Sequence, residues 1–268
     1  MALSAVVALS GCGSVDIAVP AESQPLSGVR VAFDSFTAVN YEKNRSLHGW
    51  RTTRTAVNTT LKLWYDRLDV RQTVEDGTPA ELKTFLRDLP GPEDCDISVV
   101  YLGSNQNVRA DWEFVNGEFV NWRDLLAAAT PPAHPCRIVI LDACHAAAVR
   151  HIPAWAERLA TVTLLASDAG ELTYDFAPSA LTPIDVKKHL PSAWGWAHTH
   201  LPPEWNKRVS YLGLMWIQAA AQVRTPPAEA AGWMRFFAAC EENAADFRRT
   251  VSRRWGSTVE TYTLPKIR

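Results

Sequence analysis

The run Ile138-Val139-Ile140-Leu141-Asp142-Ala143-Cys144-His145 decides the fold of this chain. Its first four residues are apolar, and three of them are β-branched, which is typical of a strand buried on both faces of a parallel sheet. An acid, a thiol and an imidazole follow at once. Because open α/β folds place their sites where the chain leaves the carboxyl end of a strand, the run predicts a central strand with a reactive Cys144 at its exit.

Similar apolar runs alternate with helical patterns on both sides of this strand. Strands are predicted at 29–33, 70–74, 97–102, 138–141 and 162–166, and helices at 52–67, 78–89 and 122–129. This alternation is typical of parallel strands joined by crossover helices. The Asn116-Gly117 pair predicts the turn of a two-stranded hairpin over 112–120. The predicted fold class is therefore α/β, with a mainly parallel central sheet and helices on both faces.

The C-terminal part of the chain follows a different pattern. Scattered prolines and tryptophans predict a long irregular excursion over residues 168–205. Within it, Trp194, Trp196 and Trp205 either form a partner-binding patch or cover the core. Two helices are predicted after it, one from about Val209 and one after Pro226-Pro227. Their apolar residues recur at helical spacing and are expected to face the core.

The composition is that of an ordinary globular protein of 268 residues, with 27 Lys and Arg against 29 Asp and Glu. A chain of this length buries a core without help from disulfides or metals. The charge balance lacks the basic excess of nucleic-acid-binding proteins, so no nucleic acid is expected as a partner. The sequence has no Gly-rich dinucleotide motif or Walker loop, and His198 and His200 have no third ligand nearby. Neither a cofactor nor a metal is therefore expected.

Residues 1–12 resemble the signal of a bacterial lipoprotein. They are largely apolar, shorter than the roughly 20 residues of a membrane span, and end in Leu9-Ser10-Gly11-Cys12, where a lipid would be attached to the Cys12 sulfur. No Lys or Arg precedes Leu3, so this stretch lacks a basic n-region. Residues 13–28 are expected to form a tether. The expected location is the cell envelope, with a lipid anchor as the protein's one contact with the membrane. The alternative is a cytoplasmic protein with an apolar N-terminus.

Two of the five cysteines precede predicted strands. Cys95 comes just before the third strand and Cys136 just before the fourth, so both are expected at the same end of the sheet. Neighbouring strands lie about 4.8 Å apart, a spacing that a disulfide can bridge. A Cys95–Cys136 disulfide would fit an oxidising compartment. The alternative is two separately buried thiols.

The segment around Cys144 resembles that of the caspase and metacaspase-like cysteine peptidases, whose nucleophile follows a strand in a D-x-C-H-type segment. The order of elements, the hairpin and the Leu47-His48-Gly49 stretch are also similar, and the resemblance covers residues 29–176. It implies a caspase-like three-layer α/β sandwich, which residues 177–268 complete within the same domain.

The resemblance also assigns roles to individual residues. It implies that Cys144 is the nucleophile and that Asp142 is the acid of a pocket for a basic side chain. Asp168 and Glu171 would add to that pocket, although a solvated loop explains them equally well. His145 diverges from its neighbour Cys144, so a structural hydrogen bond is expected of it instead of a catalytic role.

The chain departs from the family at the position of the catalytic histidine, which is occupied by Asn105. An amide cannot accept the thiol proton or return one to a leaving group. His48, in the loop after the first strand, is a candidate substitute base. The Ala146-Ala147 pair also replaces the Ser-Gly that is usual in the family.

Three hypotheses follow from this departure. The first is a degenerate peptidase that binds a peptide or protein in the former substrate cleft. The second is an active cysteine endopeptidase with a displaced base and a preference for basic residues before the scissile bond. The third is an unrelated α/β binding protein with Cys144 inert in its core. The sequence predicts no oligomeric state.

Overall fold

A computed structural model describes residues 24–41, 48–172, 175–176, 186–250 and 259–263. The predicted signal with Cys12, most of the tether and Leu47 lie outside these residues. Among the helices described, none is both long and apolar enough to cross a bilayer.

A six-stranded sheet forms the centre of the protein. In chain order the strands are β1 (Leu26–Thr37), β2 (Tyr65–Glu75), β3 (Ile97–Ser104), β4 (Asp111–Glu113), β5 (Phe119–Asn121), β6 (Arg137–Ala143), β7 (Val162–Leu165), β8 (Asp175–Phe176), β9 (Val209–Ser210) and β10 (Glu260–Tyr262). The sheet order is β10-β7-β6-β3-β1-β2. All neighbouring pairs are parallel except β10 and β7. The strands β4 and β5 form a separate antiparallel hairpin, and β8 pairs with β9.

Helices cover both faces of this sheet. They are α1 (Gly49–Trp64), α2 (Pro79–Arg87), α3 (Trp122–Ala128), α4 (Val186–His189), α5 (Pro191–His200), α6 (Tyr211–Ala220) and α7 (Ala230–Thr250). Residues of α1, α5, α6 and α7 share one apolar layer with Val99 and Tyr101 of β3. Residues of α2 and α3 share the other layer with Val100 and Leu102. The predicted α/β class, with a mainly parallel sheet and helices on both faces, is confirmed.

The central strands are buried as their sequences predict. Every residue of β3 and of β6 is buried. Because successive side chains of a strand point to opposite faces, a strand covered on both sides is mostly apolar, as β3 and β6 are, with Arg137 and Asp142 of β6 as their charged residues. The site-bearing ends of these two strands therefore belong to the buried centre of the sheet.

Two elements that local sequence signals predict are present in the structure. Thr78 and Glu81 make a capping box at the start of α2, in which the Glu81 N–H donates to Thr78 Oγ1 and the Thr78 N–H donates to Glu81 Oε2 at 2.7 Å. Such a cap stabilises a helix by about 1 kcal/mol. The hairpin of β4 and β5 turns at Gly117, whose φ of +81° is in the region that glycine tolerates best.

The stretch predicted as irregular is partly helical. Pro191 stands in the first turn of α5, where the N–H that proline lacks would have no helical partner. Ala193 and Ala197 are buried, and the Ala193 N–H donates to Gln218 Oε1 of α6 at 2.8 Å. The nearby Trp205 is only 2% exposed and belongs to the core, so it covers the core and forms no exposed patch.

The predicted Cys95–Cys136 disulfide is not formed in the structure, where both residues are buried thiols. The register explains why, because Ser98 pairs with Arg137 and Cys136 is therefore level with Ile97. Cys95 lies two residues back, an offset of roughly 6.6 Å along the strand direction in addition to the spacing between strands. Its sulfur instead lies 3.5 Å from Nε2 of His134.

Candidate functional site

The carboxyl ends of β3 and β6 meet at one edge of the sheet. Ser104 pairs with Ala143, so Asn105 and Cys144 are the next residues beyond two adjacent strand ends. Thr37 of β1 pairs with Gly103 at the same level. The chain order reverses at β1, the strand next to β3, since β2 lies on one side of β1 and β3 on the other. Open α/β sheets bind ligands at such a switch point, which makes this edge the candidate site.

The loop that follows Cys144 is held tightly. Cys144 is 8% exposed, and the next residue, His145, has a left-handed backbone with φ 52°. Nδ1 of His145 donates to the Ala169 carbonyl at 2.9 Å, and its N–H donates to the Glu171 carbonyl at 2.8 Å. His145 therefore makes the structural hydrogen bond expected of it.

Ser167, just after β7, fixes the residues that follow. The Ala146 N–H donates to Ser167 Oγ at 2.9 Å, and the Ala147 N–H donates to its carbonyl at 3.0 Å. The Ser167 hydroxyl donates in turn to the Ala143 carbonyl at 3.0 Å. The three N–H groups after Cys144 thus have acceptors within the protein, whereas a hole for a developing oxyanion needs donors that are directed at the substrate.

Asn105 is bonded to the hairpin. Its side-chain amide donates to Glu113 Oε2 at 2.5 Å, and its N–H donates to the hydroxyl of Tyr41 at 3.0 Å. The Tyr41 hydroxyl also lies 2.8 Å from Ser104 Oγ. Burial raises the pKa of Tyr41 well above its usual value, so this phenol stays protonated. Asn105 is consequently an amide that is fixed by a carboxylate.

His48 lies at the same edge of the sheet. It immediately precedes α1, whose residue Trp50 accepts a hydrogen bond from the Tyr101 hydroxyl through its carbonyl at 3.2 Å. Nδ1 of His48 is buried without a hydrogen-bond partner. No hydrogen bond between His48 and Cys144 is found among the described residues. The structure therefore places the candidate substitute base near the site but does not pair it with the thiol.

Asp142, the expected pocket acid, is fully buried. Its Oδ2 accepts hydrogen bonds from the Tyr101 hydroxyl at 2.8 Å and from the Ser210 hydroxyl at 2.5 Å. Ser210 caps α6 and lies 2.8 Å from Thr53 Oγ1 of α1. The carboxylate thus joins β6 to two helices within the core.

The two other acids considered for the pocket lie in the loop after β7. Asp168 is exposed, and its carboxylate accepts the N–H of Ala169. Glu171 forms an ion pair with Arg248 of α7 at 3.1 Å. Because the Glu171 carbonyl also accepts the His145 N–H, this residue ties the loop of Cys144 to the C-terminal helix.

Sequence reasoning did not find Tyr41, Glu113, Ser210 or Arg248. Each reaches the site from a different part of the chain, and no motif or spacing joins them to Cys144. Among the residues that the structure describes, no three His, Cys, Asp or Glu side chains are grouped so that they could hold a metal ion.

The topology and the positions of these strand ends agree with a known architecture. The chain has a caspase-like fold. The structure of caspase-1 from Spodoptera frugiperda aligns with 91% of this chain and 87% of its own length, with a TM-score of 0.53 and 10% sequence identity. No family model matches the sequence, and no curated protein matches it either. At 10% identity, the likeness establishes the caspase-like fold and leaves the activity to be argued from the site.

Proposed function

We propose that this chain is a caspase-fold pseudopeptidase, which binds a peptide or protein segment at the carboxyl edge of its sheet and does not cleave it. The observation that carries the proposal is the hydrogen bond from the Asn105 amide to Glu113. Asn105 stands at the position at which the caspase resemblance implies a general base. It pairs an amide with a carboxylate, and neither partner is an imidazole.

The chemistry of a cysteine peptidase needs a group that takes the thiol proton and later protonates the leaving amine. Asn105 has no lone pair of suitable basicity, because its amide nitrogen is a donor only. Tyr41 is the next polar group, and its raised pKa leaves it a donor near neutral pH. Loss of one member of a catalytic unit lowers the rate by several orders of magnitude.

The backbone around Cys144 supports the same proposal. In acyl transfer, preorganised N–H donors stabilise the oxyanion, and removal of one donor costs about 100- to 1,000-fold in rate. The N–H groups of His145, Ala146 and Ala147 all donate to acceptors of the loop after β7. The carboxyl edge of the sheet still offers a place for a ligand, because the strand order reverses beside it.

Peptide cleavage tests this proposal directly. The substrates are fluorogenic peptides with Arg, Lys or Asp before the scissile bond, used with and without calcium. The proteins are the wild type, Cys144→Ala and Asn105→His, with Asn116→His as a matched control at the exposed hairpin turn. The proposal predicts no cleavage by the wild type or by Asn116→His, and measurable cleavage by Asn105→His. Cleavage by the wild type that disappears in Cys144→Ala would overturn it.

Binding is tested separately with the same proteins. Peptides selected from a random library on the immobilised Cys144→Ala protein are expected to slow alkylation of Cys144 by iodoacetamide in the wild type. If no selected peptide slows alkylation, the cleft is not the binding surface.

The alternative is an active cysteine endopeptidase with His48 as the base. One observation favours it, which is that Nδ1 of His48 is buried without a hydrogen-bond partner and lies at the same edge as Cys144. This alternative predicts cleavage after basic residues that both Cys144→Ala and His48→Ala abolish. His189→Ala, which changes an exposed histidine of α4, serves as its control.

We also propose that the protein is a lipoprotein of the bacterial cell envelope, anchored through Cys12. The Leu9-Ser10-Gly11-Cys12 sequence supports this proposal. Expression with an alkyne-bearing palmitate analogue is expected to label the wild type and to leave Cys12→Ser unlabelled. Equal labelling of the two proteins, or recovery of both in the cytoplasmic fraction, would refute the anchor.

A further inference from the structure

A groove of about 240 Å³ lies beside the candidate cleft, between the loop after β3 and the short helical segment that follows Cys144. We propose that this groove binds the carboxylate side chains of an acidic peptide segment. The groove is lined chiefly by Arg109, Asn121, Arg123, Asp124 and His151, with Val108 at its rim. The proposal depends on no property of Cys144 or Asn105, and so it stands independently of the proposed function.

The two walls of the groove are fixed to one another. The side chain of Gln106, in the loop after β3, donates from Nε2 to the His145 carbonyl at 2.9 Å. Its Oε1 accepts the indole N–H of Trp122, the first residue of α3, at 3.0 Å. Gln106 and Trp122 are both buried, so these bonds are shielded from water. The groove is therefore a preformed feature of the fold.

The charges along the groove are unbalanced. Arg109, Arg123 and His151 are exposed. No described residue forms an ion pair or hydrogen bond with their side chains. Other arginines of the protein have carboxylate partners, as Arg30 has in Asp96 and Arg54 has in Glu75. Asp124 is the one carboxylate in the lining, so two guanidinium groups face a single acid.

A single side chain positions the backbones of both arginines. Asn121 donates from Nδ2 to the Arg109 carbonyl at 2.8 Å and accepts the Arg123 N–H on Oδ1 at 2.9 Å. The Arg109 N–H is held in addition by Asn107 Oδ1 at 2.9 Å. The next residue, Ala110, is buried with φ at +61°, a conformation that is unfavourable for a residue other than glycine. Such strain persists where the surroundings impose it, and it is concentrated at functional sites.

This arrangement suits carboxylates more than other anions. Guanidinium groups bind carboxylates in a bidentate fork, and two of them on separate segments suit two acidic side chains of an extended peptide. The rim residue Val108 is 61% exposed and offers an apolar contact to the same peptide. A free inorganic anion would make no use of that contact.

Fluorescence anisotropy with two labelled peptides tests the proposal, one containing six consecutive glutamates and the other six glutamines. The wild type is expected to bind the glutamate peptide and not the glutamine peptide at physiological salt. Arg109→Ala and Arg123→Ala are each expected to weaken binding about five-fold or more, since each removes a charge-assisted pair. Arg235→Ala removes an exposed arginine of α7 and is expected to bind like the wild type, as is Cys144→Ala.

Several outcomes would overturn the proposal. They are no binding by the wild type, equal binding of both peptides, or an equal loss in Arg235→Ala, which would indicate diffuse charge attraction. Displacement of the peptide by inorganic phosphate at the same concentration of anionic groups would show a phosphate site instead. Thermal melting of each variant shows whether it is folded. If Arg109→Ala does not fold, Arg109→Gln and Arg123→Gln are used in place of the two alanine variants.

Discussion

The side-chain amide of Asn105, just beyond the end of β3, donates a hydrogen bond to the carboxylate of Glu113 in the hairpin strand β4. The backbones of the two residues are also hydrogen-bonded, because the Glu113 N–H donates to the Asn105 carbonyl at 3.0 Å. The hairpin therefore holds Asn105, at the position where the caspase resemblance implies a histidine. It also places a carboxylate where it would orient an imidazole at that position.

This relationship predicts the ionisation of Asn105→His. A nearby carboxylate favours the charged form of an imidazole, so the pKa of the introduced group is expected to lie above the usual value of about 6.5. The pKa is measured by NMR titration of the imidazole protons. Adding Glu113→Gln is expected to lower it again, whereas adding Glu118→Gln, at an exposed position of the same hairpin, should change it little. A pKa that is insensitive to Glu113→Gln would contradict the predicted contact.

The buried carboxyl of Asp34 predicts a pH-dependent stability. Asp34 lies in β1 opposite Gln72, and burial raises its pKa to about 6 despite the nearby charge of Arg71. The folded state thus holds this proton more tightly than the unfolded state does. The stabilisation that protonated Asp34 contributes is complete below about pH 4 and is lost as the pH rises through about 6.

Asp34→Asn removes this titration. Near pH 8 the variant is expected to be more stable than the wild type by up to about 3 kcal/mol, and near pH 4 the difference should be much smaller. Urea unfolding across this pH range measures the difference. Asp66→Asn, at an exposed position of β2, is the control. A difference that does not vary with pH would contradict the raised pKa.

The Ser210 hydroxyl, which lies 2.8 Å from Thr53 Oγ1, has two further partners that Ser210→Ala would lose. It donates to Asp142 and accepts the Gly213 N–H at the start of α6. Because Asp142 is fully buried, the loss of a donor to its carboxylate should destabilise the protein by about 1–3 kcal/mol. Chemical denaturation measures this, with Thr199→Ala in the exposed part of α5 as the control. Equal small effects of both substitutions would show that the Asp142 network contributes little.

The thiols of Cys95 and Cys136 predict slow alkylation of the folded protein. Burial raises the pKa of each to about 11, so little thiolate is present near neutral pH. Iodoacetamide is expected to modify both slowly in the native protein at about pH 8 and rapidly after denaturation without a reductant. Peptide mass spectrometry identifies the modified residues. A bridged Cys95–Cys136 peptide in the non-reduced sample would contradict the structure.

Local patterns account for the parts of the fold that the sequence predicted correctly. The apolar run at 138–141 forms the centre of β6, the Thr78 and Glu81 spacing caps α2, and Asn116-Gly117 turns the hairpin. In each case the energetic preference acts over a few neighbouring residues, so it can be read from a short stretch. The order of these elements leaves only a few possible topologies, because parallel strands with crossover helices allow few arrangements, and the structure shows which one the chain adopts.

The sequence by itself thus determined the α/β class, the position of Cys144 after a central strand, and the amide at position 105. Only the tertiary structure decided that Asp142 is buried against Ser210, that Asn105 bonds Glu113, and that the strand register offsets Cys95 from Cys136. The physical reason is that each of these contacts joins two separate elements, most of them far apart along the chain. Register and side-chain partners are set by the packing of whole elements against each other, and the preferences of neighbouring residues carry no information about which remote group will complete a buried hydrogen bond.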